Sequence, residues 1–294
     1  MRVFLTGATG FIGKAVVREL LAAGHQVLGL TRSKQGADSL AAAGVEAHLG
    51  DIEDLNSLQR GADLADAVIH TAFNHDFSTF VANCERDRQA IEAMGAVLEG
   101  SQRPLIITSS VGMGAIGANT LAVEDYFNSA HSNPRKASEL AGIAVTERGG
   151  NVSVVRLSQV HDTVMQGLIT PLIELAQQKG VSAYVDKGQN RWPAVHINDA
   201  ARLYILALEK NVAGSRYHAV AEEGISMHII AETIGRILKV PVISIPANEA
   251  PAHFGWLSVF ANHDMSASSA LTQMRLAWQP TGPSLIADLE KMRV

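Results

Sequence analysis

The residues of plainest chemical interest are three glycines near the start of this 294-residue chain: Gly7, Gly10 and Gly13 in TGATGFIG. They follow a short apolar run, Arg2 to Thr6, and open a segment whose apolar positions Phe11, Ile12, Ala15, Val16, Leu20 and Leu21 recur at helical spacing. Strand, glycine turn and helix in that order gather unpaired backbone N–H groups and about half a positive charge at one point, where an anion is stabilised. Gly7 lets the chain reverse, Gly10 removes the Cβ that would hold a pyrophosphate at a distance, and Gly13 lets the helix lie against the strand. Thr9, Phe11 and Ile12 complete the turn. The spacing is GxxGxxG, not the commoner GxGxxG, and ligand-free glycine turns also exist, so the flanking elements carry the reading.

The elements that must position this turn alternate. Strands are expected at Gln26 to Thr31, Val45 to Leu49, Ala67 to Thr71, Leu105 to Thr108 and Val152 to Arg156, with helices at Gly36 to Ala43, Asp54 to Arg60, Ser78 to Leu98 and Pro134 to Arg148. Repeated βα units imply an α/β fold, a doubly wound parallel sheet with helices on both faces. Ligands of such sheets bind at the carboxyl ends of the strands.

Composition bounds the rest. Hydrophobic residues make up 47% and charged residues 18%, and the formal charge is −5 with the lysines and arginines scattered, which describes a globular protein without a nucleic-acid surface. The lone Cys84 excludes an internal disulfide and a multi-cysteine metal site, and reads as a packed thiol. His70, His75 and Asp76 lack a third well-spaced ligand, so no metal is expected. The first strand starts at residue 2 and no apolar run approaches a membrane span of ~18 residues, so the cytoplasm is the expected location.

TGATGFIG, with the segments below, resembles the short-chain dehydrogenase/reductase superfamily in its extended or atypical branch, the epimerase/dehydratase-like proteins. The resemblance implies a Rossmann domain over residues 1–160, to which 194–220 return, and a smaller C-terminal substrate domain over 161–294. It implies a nicotinamide cofactor. The second strand ends Gly29-Leu30-Thr31-Arg32-Ser33, with no carboxylate from Val27 to Gln35. A carboxylate there holds the ribose 2′-hydroxyl, whereas an arginine pairs with a 2′-phosphate, so NADP(H) is favoured over NAD(H). Asp51 and Ile52 look like the family's adenine-contacting pair, although Asp51 or Asp54 could equally cap the next helix. Thr71, Ala72 and Phe73 look like the turn beside the nicotinamide ribose.

The family's catalysis uses a Ser or Thr after the fifth strand and a Tyr-x-x-x-Lys pair on the next helix. Ser110 matches the serine, with Ser109 a close second; the Tyr-Lys pair is missing. Counting back from Glu139 puts Arg135 at the Lys position and His131 at the Tyr position, and an alternative register uses Lys136 and Ser132. Arginine can bind ribose hydroxyls but stays protonated; histidine titrates near neutrality. His131 also reads as a surface-loop residue ahead of Pro134.

In the second half, His75, His161, Arg191 and Trp192 are the candidate substrate contacts, the last two as a cation beside an aromatic ring. Asn198 or Asp199 is expected to cap a helix, Ile229, Ile230, Ile234 and Leu238 to face inward, and Ala250 to Ala261 to form one helix. The leading expectation is an NADP(H)-dependent oxidoreductase of a small carbonyl or alcohol. The alternatives are an inactive NADP(H) sensor and a sugar-nucleotide epimerase or dehydratase. Relatives dimerise through helices corresponding to 78–98 and 134–148, so a homodimer is also expected by resemblance.

Overall fold

In the computed structural model, which describes residues 1–117 and 120–292, side-chain alternation along the strands sorts the chain into layers. The first half runs β1 (Arg2–Thr6), α1 (Phe11–Ala22), β2 (Gln26–Thr31), α2 (Lys34–Ala42), β3 (Glu46–Leu49), α3 (Leu55–Asp63), β4 (Ala67–His70), α4 (Phe80–Leu98), β5 (Pro104–Ser110), α5 (Lys136–Glu147) and β6 (Asn151–Leu157). The second runs β7 (Gln159–His161), α6 (Ile169–Lys179), β8 (Ser182–Val185), β9 (Arg191–His196), α7 (Ile197–Lys210), β10 (Arg216–Ala219), β11 (Glu222–Ser226), α8 (Met227–Leu238), β12 (Val242–Ile245), α9 (Ala250–Phe254), α10 (Ser258–Ala261), α11 (Ala270–Leu276) and α12 (Leu285–Lys291).

Seven parallel strands form one sheet in the order β3-β2-β1-β4-β5-β6-β10. Val3, Leu5, Ile69, Ile106 and Val155 face α1 and α7, while Phe4, Val68, Leu105, Ile107 and Val154 face α3, α4 and α5. The chain winds outward in both directions from β1 and β4, so a crevice opens between their carboxyl ends, where the glycine turn lies. The rest of the second half builds a separate core around Ile173, Trp192, Ile230, Ile234, Phe254 and Leu289. A small sheet, β11-β9-β7, and the pair β12-β8 frame it.

Three local expectations are corrected. His196, not Asn198 or Asp199, caps α7, its Nδ1 accepting the Asn198 N–H at 3.3 Å. The Asp199 carboxylate instead accepts the N–H groups of Thr281 and Gly282, at 3.1 and 2.7 Å, and ties the C-terminal turn to α7. Ile229 is 47% exposed, because the buried stripe of α8 is Met227, Ile230, Ala231 and Ile234, and Ile229 is turned off it. The helix expected over 250–261 is broken at Gly255, whose φ of 57° reverses the chain between α9 and α10.

The β6–β10 edge is pinned by a buried charge cluster. Arg156 is fully buried and bidentate on Glu139, with both contacts at 2.8 Å. It also donates to Tyr126 O at 2.9 Å and to His218 Nε2 at 3.2 Å, so His218 carries its proton on Nδ1 and gives it to Ser268 O at 2.7 Å. Burial pushes the Glu139 carboxyl up, but Arg156 and Arg216 outweigh it and hold it below its usual range. Burial first, then Arg156, pushes His218 down to about 3.

Acid stability follows from that histidine. Between pH 3 and about 6.5 the unfolded chain binds a proton that folded His218 refuses, so stability rises with pH across this window and is lost on acidification. The contribution is on the order of a few kcal/mol. Urea denaturation of the intact chain and of His218→Gln at pH 7, 5.5 and 4.5 should show a shallower loss in the variant.

Candidate functional site

Gly7, at φ 72°, makes the turn after β1, and a Cβ there would sit 2.7 Å from Thr71 Oγ1. A Cβ on Gly13 would overlap Gly7 O, so the helix comes as close to the strand as only glycine permits. Gly10 is the N-cap of α1 and no side chain caps that terminus; its N–H closes the turn on Gly7 O at 2.8 Å. Thr9 and Gly10 are exposed, while Phe11 and Ile12 pack their side chains on the core. The result is a cradle of free amides lacking a cap and lacking Cβ atoms, which fits a dinucleotide pyrophosphate.

Behind this cradle runs a buried polar chain. Thr6 Oγ1 accepts the Ala72 N–H at 3.2 Å and lies 2.7 Å from His70 Nδ1, to which it donates in the neutral tautomer whose Nε2 N–H faces Asp87. His70 Nε2 then donates to Asp87 Oδ1 at 3.0 Å. The other Asp87 oxygen accepts Arg135 Nη1 at 2.6 Å and Ser138 Oγ at 2.5 Å. Arg135 Nη1 also donates to Ser138 Oγ, its Nη2 reaches Thr108 O at 2.8 Å, and the guanidinium lies 4.2 Å from the centre of the Phe73 ring. Thr108 Oγ1 donates to His70 O at 2.7 Å and accepts the buried Tyr204 hydroxyl at 2.6 Å. Burial opposes the Asp87 charge, yet Arg135 and the His70 and Ser138 hydrogen bonds hold the carboxyl far below its usual range. Burial drives the Tyr204 phenol far above its usual value.

This geometry separates the two registers of the missing Tyr-Lys pair. Arg135 is buried and aimed at the ends of β4 and β5, while Lys136 opens α5 half-buried and Ser132 is exposed. His131 precedes the helix in a loop, partly exposed. Its Nδ1 accepts the Asn133 N–H at 3.0 Å, which leaves Nε2 as the free N–H. Burial, then Lys136 and His263, lower its pKa, and burial, then Arg135, lower that of His75. Ser110 Oγ accepts the Gly112 N–H at 3.4 Å, and Ser109 is buried with its hydroxyl near the Glu139 carboxylate, which it helps hold below its usual range.

At the adenosine end, the Arg32 side chain is 81% exposed, with Nε 3.8 Å from Asp51 Oδ2. Ser33 caps α2 by accepting the Gly36 N–H at 3.1 Å. Asp54 caps α3 at 3.1 Å, Asp51 Oδ1 accepts the Glu53 N–H at 2.9 Å, and Ile52 packs on the core.

The second-half candidates do not converge on the crevice. Trp192 is wholly buried in the C-terminal core, whereas the exposed Arg191 pairs with Asp264 at 3.1 Å; neighbours on a strand point to opposite faces, so the expected cation and ring are parted. His161 is fully buried with Nδ1 on Asp288 at 2.8 Å. His75 stays near the crevice, edge-on to Phe73 at 5.2 Å, and Asp76 caps the next turn at Ser78.

Sequence reading passed over Asp87 and Tyr204. The signal was there: Asp87 shares a helix stripe with Ala90, Ile91 and Met94, and an acid on an apolar stripe demands a buried cation. Removing that acid tests the network. Asp87→Asn should cost roughly 3–5 kcal/mol in denaturant unfolding by stranding the guanidinium, and Asp87→Leu with Arg135→Met should recover much of the loss.

The profile of the NAD dependent epimerase/dehydratase family matches residues 3–221. An uncharacterized protein of Schizosaccharomyces pombe is 47% identical over 294 residues, 98% of either chain. The 4-hydroxy-2-methyl-3-oxo-4-farnesyl-3,4-dihydroquinoline-1-oxide ketoreductase of Stigmatella aurantiaca is 25% identical over 87% of this chain and 80% of its own. The solved structure of dTDP-glucose 4,6-dehydratase from Streptomyces venezuelae, with NAD bound, has a TM-score of 0.77 and 19% identity, covering 99% of this chain and 95% of that one. Fold, glycine cradle and profile agree, and the chain belongs to the NAD dependent epimerase/dehydratase family.

Proposed function

We propose that the protein is an NADP(H)-dependent oxidoreductase acting on a small carbonyl or alcohol. The observation that carries this reading is the uncapped glycine cradle of α1 beside an exposed Arg32, on a strand end without a carboxylate. Phe11, Ile12 and Gly13 would hold the pyrophosphate through their backbone N–H groups, with Gly7, Thr9 and Gly10 shaping the turn. Arg32 takes the 2′-phosphate, with Ser33 fixing the start of α2 beneath it. Asp51 and Ile52 receive the adenine, and Thr71, Ala72 and Phe73 line the ribose side.

When bound, the nicotinamide supplies or accepts a hydride at C4. Arg135, held by Asp87, can orient and polarise, but a guanidinium cannot relay a proton. Ser110 holds the substrate oxygen, with Ser109 the neighbouring hydroxyl. His131, its Nδ1 occupied by the Asn133 N–H, offers its Nε2 N–H to that oxygen as a hydrogen bond, and water exchanges the proton. The locked arginine also favours a second reading, an NADP(H) sensor without turnover.

Calorimetric titration separates these claims. NADPH should bind at least about tenfold more tightly than NADH, as a charge-assisted phosphate contact of about 1.5–3 kcal/mol requires. Arg32→Ala should erase the difference, and Gly10→Val should abolish both. NADPH consumption over a carbonyl panel should fall about 100-fold in Ser110→Ala. Tight NADPH binding with no turnover on any carbonyl selects the sensor, and a cofactor preference indifferent to Arg32 overturns the NADP(H) assignment.

A further inference from the structure

A row of aromatic rings leads out of the crevice. Phe73, over Arg135, meets Phe80 at 6.0 Å; Phe80 stacks with Phe77 at 5.3 Å; and Phe77 stacks with Trp256 at 4.3 Å and 16°. Phe260 meets Phe77 edge-on at 6.1 Å and Trp256 at 6.3 Å. The first three rings belong to the segment after β4, and the last two to the C-terminal half.

The segment carrying Trp256 is a strap. Leu257 anchors it in the C-terminal core, and the left-handed Gly255 sets the direction in which it leaves α9. Its far end is tied to the loop after β5: Ala122 N donates to Ser266 O and Ser268 N donates to Ala122 O, each at 2.9 Å. Between these ends the segment follows β9 and β11, with Asn190 Nδ2 on Ala261 O at 3.0 Å, Met265 N on Arg191 O at 2.8 Å and Ala267 N on Glu223 O at 3.0 Å. Trp256 is nonetheless 44% exposed, unlike the wholly buried Trp192 and Trp278. A large ring left partly open at the mouth of a crevice is unfinished burial.

Charge narrows what could complete it. The guanidiniums that form or touch these walls are committed: Arg135 to Asp87 at 2.6 Å, Arg156 to Glu139 at 2.8 Å, Arg191 to Asp264 at 3.1 Å and Arg275 to Asp125 at 2.8 Å. A substrate diphosphate would need cations of this kind unpaired.

We infer that Phe77, Trp256 and Phe260 form an aromatic subsite that takes the apolar body of an uncharged carbonyl compound and not a nucleotide-diphosphate sugar. This rests on the oxidoreductase reading above and names its substrate class. The stack supplies ring-to-ring contact to that apolar body.

The test is calorimetry on the full chain, with and without NADP⁺, using 2-acetonaphthone and UDP-glucose as probes, so that turnover is not required. The ketone should bind and UDP-glucose should not. Trp256→Ala should weaken the ketone at least tenfold, Trp256→Phe should restore most of it, and NADPH affinity should stay unchanged in both. Phe260→Ala, with a smaller effect of the same sign, serves if Trp256→Ala melts early. Equal or tighter binding of UDP-glucose, no ketone binding, or a ketone affinity indifferent to Trp256 and Phe260 overturns the subsite. Loss of NADPH binding by the unaltered chain would instead remove the cofactor assignment, a separate result.

Discussion

The ion pair between Arg135 and Asp87 is the constraint on which the crevice depends. Two charges taken out of water are costly unless their remaining hydrogen-bonding capacity is used, and here it is: Ser138 and His70 complete the carboxylate, and Thr108 O and the Phe73 face occupy the guanidinium. The members come from β4, α4, β5 and the entry to α5, so satisfying one charge fixes four elements. The same chain passes through His70 and Thr6 to Ala72, directly behind Gly7. A cradle for an anion and a fixed cation are therefore parts of one buried network.

A second pair, Arg156 with Glu139, does comparable work one strand over. Arg156 draws in the carbonyls of the 123–126 loop, and His218 joins it to the segment ahead of α11. Both pairs recruit α5, through Ser138 and Glu139, adjacent residues pointing to different partners. That helix is consequently held by charge at its first turn and by Ala141 and Val145 further along. The two ion pairs also commit both buried guanidiniums to carboxylates of the chain itself.

What could be read from the sequence was what is local. The glycine turn and the strand and helix periods depend on neighbours within four residues, and they recur in the structure. The doubly wound sheet follows from repeating them. The partners of His161 and Arg135, at Asp288 and Asp87, lie 127 and 48 residues away, and nothing in a local window announces them. Arg191 and Trp192 show the complementary failure: their adjacency in sequence looked like a cation beside a ring, and strand geometry parts them. Asp87 was legible in principle, since an acid among Ala90, Ile91 and Met94 breaks the apolar stripe.

Exchanging a titratable amine for a permanent cation has a chemical consequence. An ammonium near a nicotinamide ribose can lose and regain its proton; a guanidinium does not. Arg135 then contributes only a constant field, which favours developing negative charge on a substrate oxygen but leaves it without a proton. That proton must come from a group that titrates close to neutrality or from water. His131 and His75 both border this region, and both are pushed toward the neutral form by burial and by nearby positive charge. With its Nδ1 held by the Asn133 N–H, a neutral His131 meets a substrate oxygen as an Nε2 N–H donor, so the constant cation, this imidazole and Ser110 together steady negative charge on that oxygen, and the proton itself is exchanged with water.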